Sequence, residues 1–303
     1  MGSTMVQLIT ECTQELGIPT PSTVAGNNSQ DVVQLLALMN ACGYELLRRA
    51  DWRELTRQHT FYTEATTATG TWVEGVAAIT GLASTAGLST SYQVQGSGIP
   101  NATYITSVGA TSVTTNYQPT ASVVGGQVIF QKVKYDLPAD YVSTVNRTHW
   151  DKSKRWEMLG PESPQQWEWL LSGYISTGPR IRWRLLGKYF QIWPGMNGGE
   201  LLGFEYRSAA WAYASDGQPK NSFTADSDTC IYPDRLMVLG TKLKYFEAKG
   251  FDTTALYRDY LMEFETAVGQ DTAAANLSFA PRPGTVLIGY DNIPDSGYGT
   301  DSQ

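Results

Sequence analysis

Histidine and cysteine are scarce in this chain of 303 residues, which contains two histidines and three cysteines. The cysteines, Cys12, Cys42 and Cys230, lie far apart, so the sequence offers neither the CxxC spacing of a zinc site nor a paired disulfide framework. With only His59 and His149, a Ser-His-Asp or Cys-His catalytic set has few possible assignments. The sequence therefore predicts no metal site, and it favours reduced thiols in a protein made in a cytosol.

The motifs of several common active sites are also missing. No GxSxG elbow, GxxxxGK[ST] phosphate loop or HExxH zinc motif occurs, and the glycines at 96–100 indicate a turn. No apolar run approaches the roughly 20 residues that span a bilayer, and the first residues lack the features of a signal peptide. Carboxylate pairs of the glycosidase kind depend on spatial separation and stay open here. We predict no catalytic residue, no cofactor and no membrane contact.

Positive charge is in short supply, since 22 Lys and Arg stand against 29 Asp and Glu, for a net charge of −7. A protein that binds nucleic acid by neutralising phosphates needs clustered basic residues, so the composition argues against that class. One local exception is a basic strip formed by Arg180, Arg182 and Arg184, which alternate with apolar residues on a predicted strand. The strip could contact phosphates or an acidic partner, but a solvated face balanced by neighbouring carboxylates is favoured.

Apolar residues recur at helical spacing in five stretches. These stretches are residues 3–16, 29–51, 163–174, 234–250 and a segment that begins at 252. Capping residues support the boundaries, because Ser29 and Ser163 can cap helix starts, while Gly17 and Gly250 follow predicted helix ends. Together, the five predicted helices indicate an α-helical bundle.

Strand signals are concentrated elsewhere. Residues 55–63 and 127–135 each read as a strand, and 127–135 is predicted to resume where 55–63 stops. Between them, residues 66–126 are rich in Thr, Ser, Gly and Val with glycine turns, which predicts an inserted β module. A hairpin over 180–194, turning at Gly187-Lys188, is predicted to form three antiparallel strands with 202–206.

The predicted fold class is therefore α+β: an α-helical bundle with a small antiparallel sheet, an inserted β module and an extended C-terminal arm. The predicted organisation assigns residues 1–65 and 127–276 to a core, 66–126 to the inserted module and 277–303 to the arm. The arm is rich in Gly, Pro and Asp, yet it keeps an apolar set suited to binding in a partner's groove. That set is Phe279, Val286, Leu287, Ile288 and Tyr290.

The stretch FTADSDTCIYPDRL, residues 223–236, places three aspartates and a cysteine within nine positions. An EF-hand loop counted from Asp226 fails, because Ile231 stands where glycine is needed and Met237 where glutamate is needed. The favoured interpretation is the start of a helix, with Pro233 and Asp234 at its positive end.

Three segments together resemble the head-to-tail adaptor proteins of short-tailed bacteriophages, the podovirus connectors that are similar to tail tubular protein A. They are LITECTQELGIPTPSTVAGNNSQDVVQLLALMNACGYELLRRADWRELTRQHTF, DLPADYVSTVNRTHWDKSKRWEMLGPESPQQWEWL and FTADSDTCIYPDRLMVLGTKLKYFEAKGFD. The resemblance covers roughly residues 5–65 and 127–277. The insert, with VQGSGIPNATYITSVGATSVTT, is similar to small β modules of phage structural proteins. Such modules need not be shared by every adaptor, so its presence is a departure from the family pattern.

The resemblance implies a virion structural protein at the tail vertex, assembled in the cytoplasm of the host bacterium. It implies a homo-oligomeric ring of twelve copies that joins the portal protein above to the tail nozzle, with tail fibres a further possible partner. DNA would pass through the channel without specific binding, and the C-terminal arm would reach the portal. The alternative left open is a receptor-binding or carbohydrate-binding tail component, or an enzyme, that uses the β insert.

Overall fold

A computed structural model describes residues 2–172 and 181–272. Within these residues the protein is mostly β in architecture, with seventeen strands in four antiparallel sheets and five α-helices. Strands take 30% and helices 29% of the structure. The predicted fold, a helical bundle with a small sheet, is therefore wrong, because sheets rather than a bundle form most of the framework.

The helices form where the sequence predicts them. They are α1 (Met5–Leu16), α2 (Gln30–Arg49), α3 (Pro164–Leu171), α4 (Asp234–Lys249) and α5 (Thr254–Thr272), and a 3-10 turn spans Arg53–Leu55. The Ser163 hydroxyl accepts a hydrogen bond from the Gln166 N–H at 3.2 Å, which caps α3. Gly17 and Gly250 end α1 and α4 in the left-handed conformation, with φ of 70° and 75°.

The largest sheet has six strands and lies in the segment predicted as an insert. Its strands are β2 (Ala65–Trp72), β3 (Ala78–Thr80), β4 (Tyr92–Gly96), β5 (Ile105–Val108), β6 (Val113–Thr115) and β7 (Val123–Lys132), in the order β4-β7-β2-β3-β6-β5. The chain enters through β2 and leaves through β7, and these strands are neighbours. At their shared end Lys132 Nζ lies 2.7 Å from Glu64 Oε1, and the Lys132 N–H donates to the Glu64 carbonyl at 2.9 Å.

A second sheet is built on the long strand β14. It contains β1 (Thr56–Tyr62), β9 (Tyr141–Thr144), β10 (Trp150–Asp151), β11 (Trp156–Glu157) and β14 (Leu201–Ser208). Strand β1 pairs along one edge of β14, from Thr56 opposite Arg207 to Tyr62 opposite Leu201, while β9 and β10 pair with the other edge. The predicted strand over 55–63 is thus confirmed, but its partner is β14 and not the strand that follows the insert.

The predicted hairpin is also confirmed, with a different third strand. It consists of β12 (Arg182–Leu186) and β13 (Tyr189–Trp193), and β13 pairs with β8 (Lys134–Asp136) instead of with residues 202–206. Residues 202–206 belong to β14 in the second sheet. A fourth small sheet contains β15 (Ala212–Tyr213), β16 (Pro219–Lys220) and β17 (Thr229–Cys230).

Three principal cores fill the protein. The helices α1, α2, α4 and α5 share one core with Trp211, Phe223 and Tyr232. An aromatic core that includes Phe190 and Phe204 lies between the hairpin sheet and the β14 sheet. The six-stranded sheet has a core of its own around Trp72, Ile79 and Phe130.

The close approach of α2 to Trp211 in the first core depends on a glycine. A Cβ added at Gly43 of α2 would lie 2.4 Å from Cζ2 of Trp211, which is fully buried. By contrast, a Cβ added at Gly269 of α5 would meet nothing within 4 Å. The two helical glycines therefore differ in the space around them while sharing the low helix propensity of the residue.

We expect Gly43→Ala to lower the free energy of unfolding by about 2 kcal/mol, because the new methyl group overpacks against a rigid indole. Gly269→Ala, the matched control, is expected to raise it by about 0.5–1 kcal/mol through helix propensity alone. Chemical denaturation of both variants measures the difference. Equal effects of the two substitutions would contradict the packing argument.

Candidate functional site

The residues predicted to bind the portal fall in the C-terminal arm. Phe279, Val286, Leu287, Ile288 and Tyr290 lie outside the described residues, and so does Arg180 of the basic strip. Their assignment stays a prediction from the sequence.

The other two arginines of the basic strip are engaged within the subunit. Arg182 Nη1 lies 2.5 Å from Glu162 Oε1, and the Glu162 side chain is 8% exposed. The Arg184 guanidinium lies over the Trp167 ring at 4.5 Å from its centroid, and its Nε donates to Gln191 Oε1 at 3.0 Å. Burial lowers the pKa of Arg184. A role of the strip in contacting DNA or an acidic partner stays a prediction. Such a partner would have to compete with Glu162, Trp167 and Gln191 for the two arginines.

Asp228 is the most buried acid of the 223–236 stretch, with 1% of its surface exposed. Its Oδ2 accepts the N–H groups of Thr224 and Ala225 at 2.8 and 2.9 Å and lies 2.6 Å from Lys220 Nζ. Burial alone would raise the pKa of Asp228, but the hydrogen bonds from Lys220 and the two N–H groups outweigh it and hold the pKa below its usual value. Asp228 therefore acts as an ionised organiser of its own loop.

The remaining aspartates of this stretch tie distant parts of the chain together. Asp226 Oδ1 accepts the N–H groups of Val24 and Ala25 at 2.9 and 2.7 Å. Asp234, in the first turn of α4, accepts the Ser3 N–H at 3.1 Å and the Ser3 hydroxyl at 2.6 Å. Within residues 2–172 and 181–272, no cluster of three or more His, Cys, Asp or Glu side chains is placed to hold a metal ion.

We expect Asp228→Ala to lower the free energy of unfolding by about 2–3 kcal/mol at pH 7, because it removes three charge-assisted hydrogen bonds. Asp259→Ala is the matched control, since the Asp259 side chain is 55% exposed and its ion pair with Arg258, at 3.5 Å, lies on the surface. Its effect should stay within about 0.5 kcal/mol. Urea denaturation compares the two; a loss at Asp228 no larger than at Asp259 would refute the role assigned to it.

His149 lies in the aromatic core and is 1% exposed. Its ring stacks on Trp183 with centroids 3.7 Å apart, and its Nε2 lies 2.9 Å from the Thr144 hydroxyl. A hydroxyl beside an imidazole is half of a nucleophile and base arrangement, but none of the described residues forms a hydrogen bond with Nδ1 to orient the ring. Burial lowers the pKa of His149 to about 4. The pair is therefore closed to substrate and packs the core with a neutral ring.

The low pKa of His149 makes stability depend on pH. Because the folded state holds the ring neutral while the unfolded chain binds a proton below about pH 6.5, stability falls as pH drops from 6.5 towards 4. We expect this residue to account for a loss of about 2 kcal/mol between pH 7.5 and pH 5.

His149→Phe keeps an aromatic ring in the stack and removes the titration. Denaturation at the two pH values should show a smaller loss in this variant than in the unsubstituted chain. His59, whose pKa is also lowered by burial, is present in both proteins and cancels in the comparison. Equal pH dependence of the two proteins would show that His149 is not the titrating group.

The three cysteines are buried in the helical core. Burial raises the pKa of each thiol to about 12. At neutral pH these cysteines are protonated and poorly reactive.

The outer face of α2 is a feature that the sequence reasoning missed. The residues that share it are Val33, Ala37, Ala41, Tyr44 and Arg48, at steps of three or four, and all are exposed. Val33 is 51% and Tyr44 45% exposed. The signal was present, because α2 has more apolar residues than one buried stripe requires. Sequence reasoning assigned its wide apolar face to the core alone.

This face leads into three hollows, which together we call the α2 groove. The first, about 560 Å³, is lined by Ala41, Tyr44, Glu45, Leu47, Arg48 and Arg49. The second, about 390 Å³, is lined by Leu47, Arg48, Ala50, Asp51, Trp52, Leu55, Val142, Ser143 and Arg207. The third, about 220 Å³, is lined by Trp52, Glu54, Ile231, Pro233, Ala267, Gln270 and Asp271. Successive hollows share lining residues, so they adjoin.

Comparison with known proteins adds no family assignment. No protein-family model and no curated protein matches this chain. None of the helices in the described ranges has the length and apolar character to cross a bilayer.

Proposed function

We propose that this protein is a virion structural protein, the head-to-tail adaptor of a short-tailed bacteriophage. Twelve copies form a ring beneath the portal, hold the tail nozzle below and continue the channel through which DNA leaves the head. The arm, residues 277–303, joins the subunit to the portal. The protein carries out no catalysis, and it is assembled in the cytoplasm of the host bacterium.

One observation carries the proposal: the segments that resemble adaptor proteins pack on one another. The helical core draws all its buried residues from 5–55 and 211–267, which fall inside the two ranges of the resemblance. The core of the six-stranded sheet draws its buried residues from 72–130, almost entirely the insert that lies outside those ranges. The ranges that resemble adaptor proteins therefore coincide with one packed core, and the insert coincides with another. This is expected if the helical core is a structural unit that this chain shares with the adaptor proteins.

Charge is a second support. With a net charge of −7, a channel built from this chain gives passing DNA few fixed contacts, because like charges repel. The ion pair of Arg182 with Glu162 and the stacking of Arg184 on Trp167 also occupy the basic groups that were candidates for holding a phosphate backbone.

Two aromatic residues of the insert are unavailable to the alternative function of sugar binding. Trp72 and Tyr92 are 1% and 5% exposed and fill the core of the six-stranded sheet. Stacking on a sugar requires an accessible ring face, so neither residue can provide it as the sheet is folded.

The direct test is a cryo-EM reconstruction of the tail vertex of the virion. A twelve-fold ring of this chain directly beneath the portal, with residues 277–303 reaching into it, is the expected result. Density at the nozzle tip or the periphery, or none in the virion, would overturn the proposal.

We expect a chain that lacks residues 277–303 to fold and yet to fail to join the portal. The buried residues described for the three principal cores all precede position 273, so the truncation deletes none of them. Circular dichroism and thermal unfolding report folding, and cryo-EM of particles assembled with the truncated chain reports joining, with the full-length chain as control. Normal incorporation of the truncated chain would contradict the role of the arm.

A further inference from the structure

We propose that the α2 groove is the docking site of the chain's own C-terminal arm, residues 277–303, in the free subunit. The inference goes beyond the proposed function and does not require it. If the subunit is an adaptor, the arm lies on its own subunit until the portal offers a better site.

The groove offers apolar surface that the described residues leave uncovered. Val142 on its rim is 49% exposed and Tyr44 is 45% exposed, while Leu47 and Trp52 form shared walls between adjoining hollows. Uncovered apolar surface of this kind favours a bound segment with large side chains, because burial of each such side chain contributes about 1.5–3 kcal/mol.

The chain leads into the groove where α5 ends. Gln270 and Asp271, two of the last residues of α5, line the third hollow. The Arg53 N–H donates to Asp271 Oδ2 at 2.7 Å, which fixes this end of α5 beside Trp52. The residues that follow Thr272 therefore start at the edge of the groove.

The length of the remaining chain suits the groove. An extended chain advances about 3.3 Å per residue, so Phe279 can lie about 23 Å beyond Thr272. The part of the groove that lies on α2, from Arg49 back to Ala41, spans about 12 Å at 1.5 Å per residue. The first apolar anchor of the arm can thus reach any point along the groove, and the anchors Val286 to Tyr290 have ample slack.

Charge adds a second match. Arg48 lies between the first two hollows and, among the residues that the structure describes, makes no ion pair or hydrogen bond. The arm carries Asp291, Asp295 and Asp301 against a single arginine, Arg282. The linings also carry the carboxylates of Glu45, Asp51, Glu54 and Asp271. Glu45 and Asp51 pair with Arg49 and Arg207, so in the described lining the guanidinium of Arg48 is left for a carboxylate of the arm.

The tether favours the subunit's own arm over the arm of a second copy. A segment joined to its binding site through a short stretch of the same chain experiences an effective concentration in the millimolar range, far above the concentration of other copies in a dilute solution. We therefore assign the groove to the arm of the same chain.

Disulfide trapping in the full-length chain tests this assignment. The native cysteines are buried, so an added pair can be read against a low background. One new cysteine is placed in the groove by Ala41→Cys, and the other in the arm by Ser278→Cys, Thr285→Cys or Asn292→Cys in three separate variants. The matched controls pair each arm position with Glu74→Cys, an exposed site in the six-stranded sheet.

We expect at least one Ala41→Cys pair to form a disulfide within a single chain about tenfold faster than its Glu74→Cys control. Adding Arg48→Glu should slow this reaction, whereas Lys188→Glu, a charge reversal in the exposed turn of the hairpin, should not. Gel mobility under non-reducing conditions separates linked monomers from linked dimers.

Two results would overturn the inference. Disulfide-linked dimers without linked monomers would show that the groove takes the arm of another copy. The absence of a faster reaction at all three arm positions would show that the arm does not dock there. Because no portal protein is present, neither result bears on whether the chain is an adaptor.

Discussion

The helical layer of this protein depends on how the stretch 223–236 ties the N-terminal residues to the start of α4. The Met5 N–H donates to the Asp228 carbonyl at 2.7 Å, and Thr4 forms an antiparallel bridge with Thr229. Asp226 holds the turn before α2, and Asp234 holds Ser3. These bonds join residues more than 200 positions apart, so they hold α1 and the turn before α2 against the start of α4.

Aspartate side chains suit these positions because the turns leave backbone N–H groups without partners. A carboxylate can accept several hydrogen bonds from backbone N–H groups that a turn leaves without partners. Asp228 does so at a buried position, where an unpaired charge would be costly, and Lys220 balances its charge. The same residue types at the same spacing would suggest a cation site, but here the carboxylates accept hydrogen bonds from backbone N–H groups, and Asp228 also pairs with Lys220.

Local signals explain how much could be predicted from the sequence. The helices were predictable because capping residues such as Ser163 and Gly250 act within one turn. Strands β10, β15 and β17 have two residues each, too few to show a period of two. The strand β14 that pairs with β1 and the strand β8 that pairs with β13 each lie more than 50 residues from their partner. The fold class was wrong because β content set by distant pairing leaves little local trace. At the candidate site, the apolar character of the arm was legible, but the groove beside the end of α5 depends on tertiary packing.

The adjacent entry and exit of the six-stranded sheet have an evolutionary consequence. Because Glu64 and Lys132 lie side by side, the two ends of the intervening segment are separated by the width of one strand pair. A genetic exchange that replaces everything between them leaves a gap that a tight turn can close, but a new module must also cover the core that Ala102 shares with Trp167 and Trp193. The closeness of the two ends therefore lets the chain accept a module of different length at this point without moving β1 away from β14.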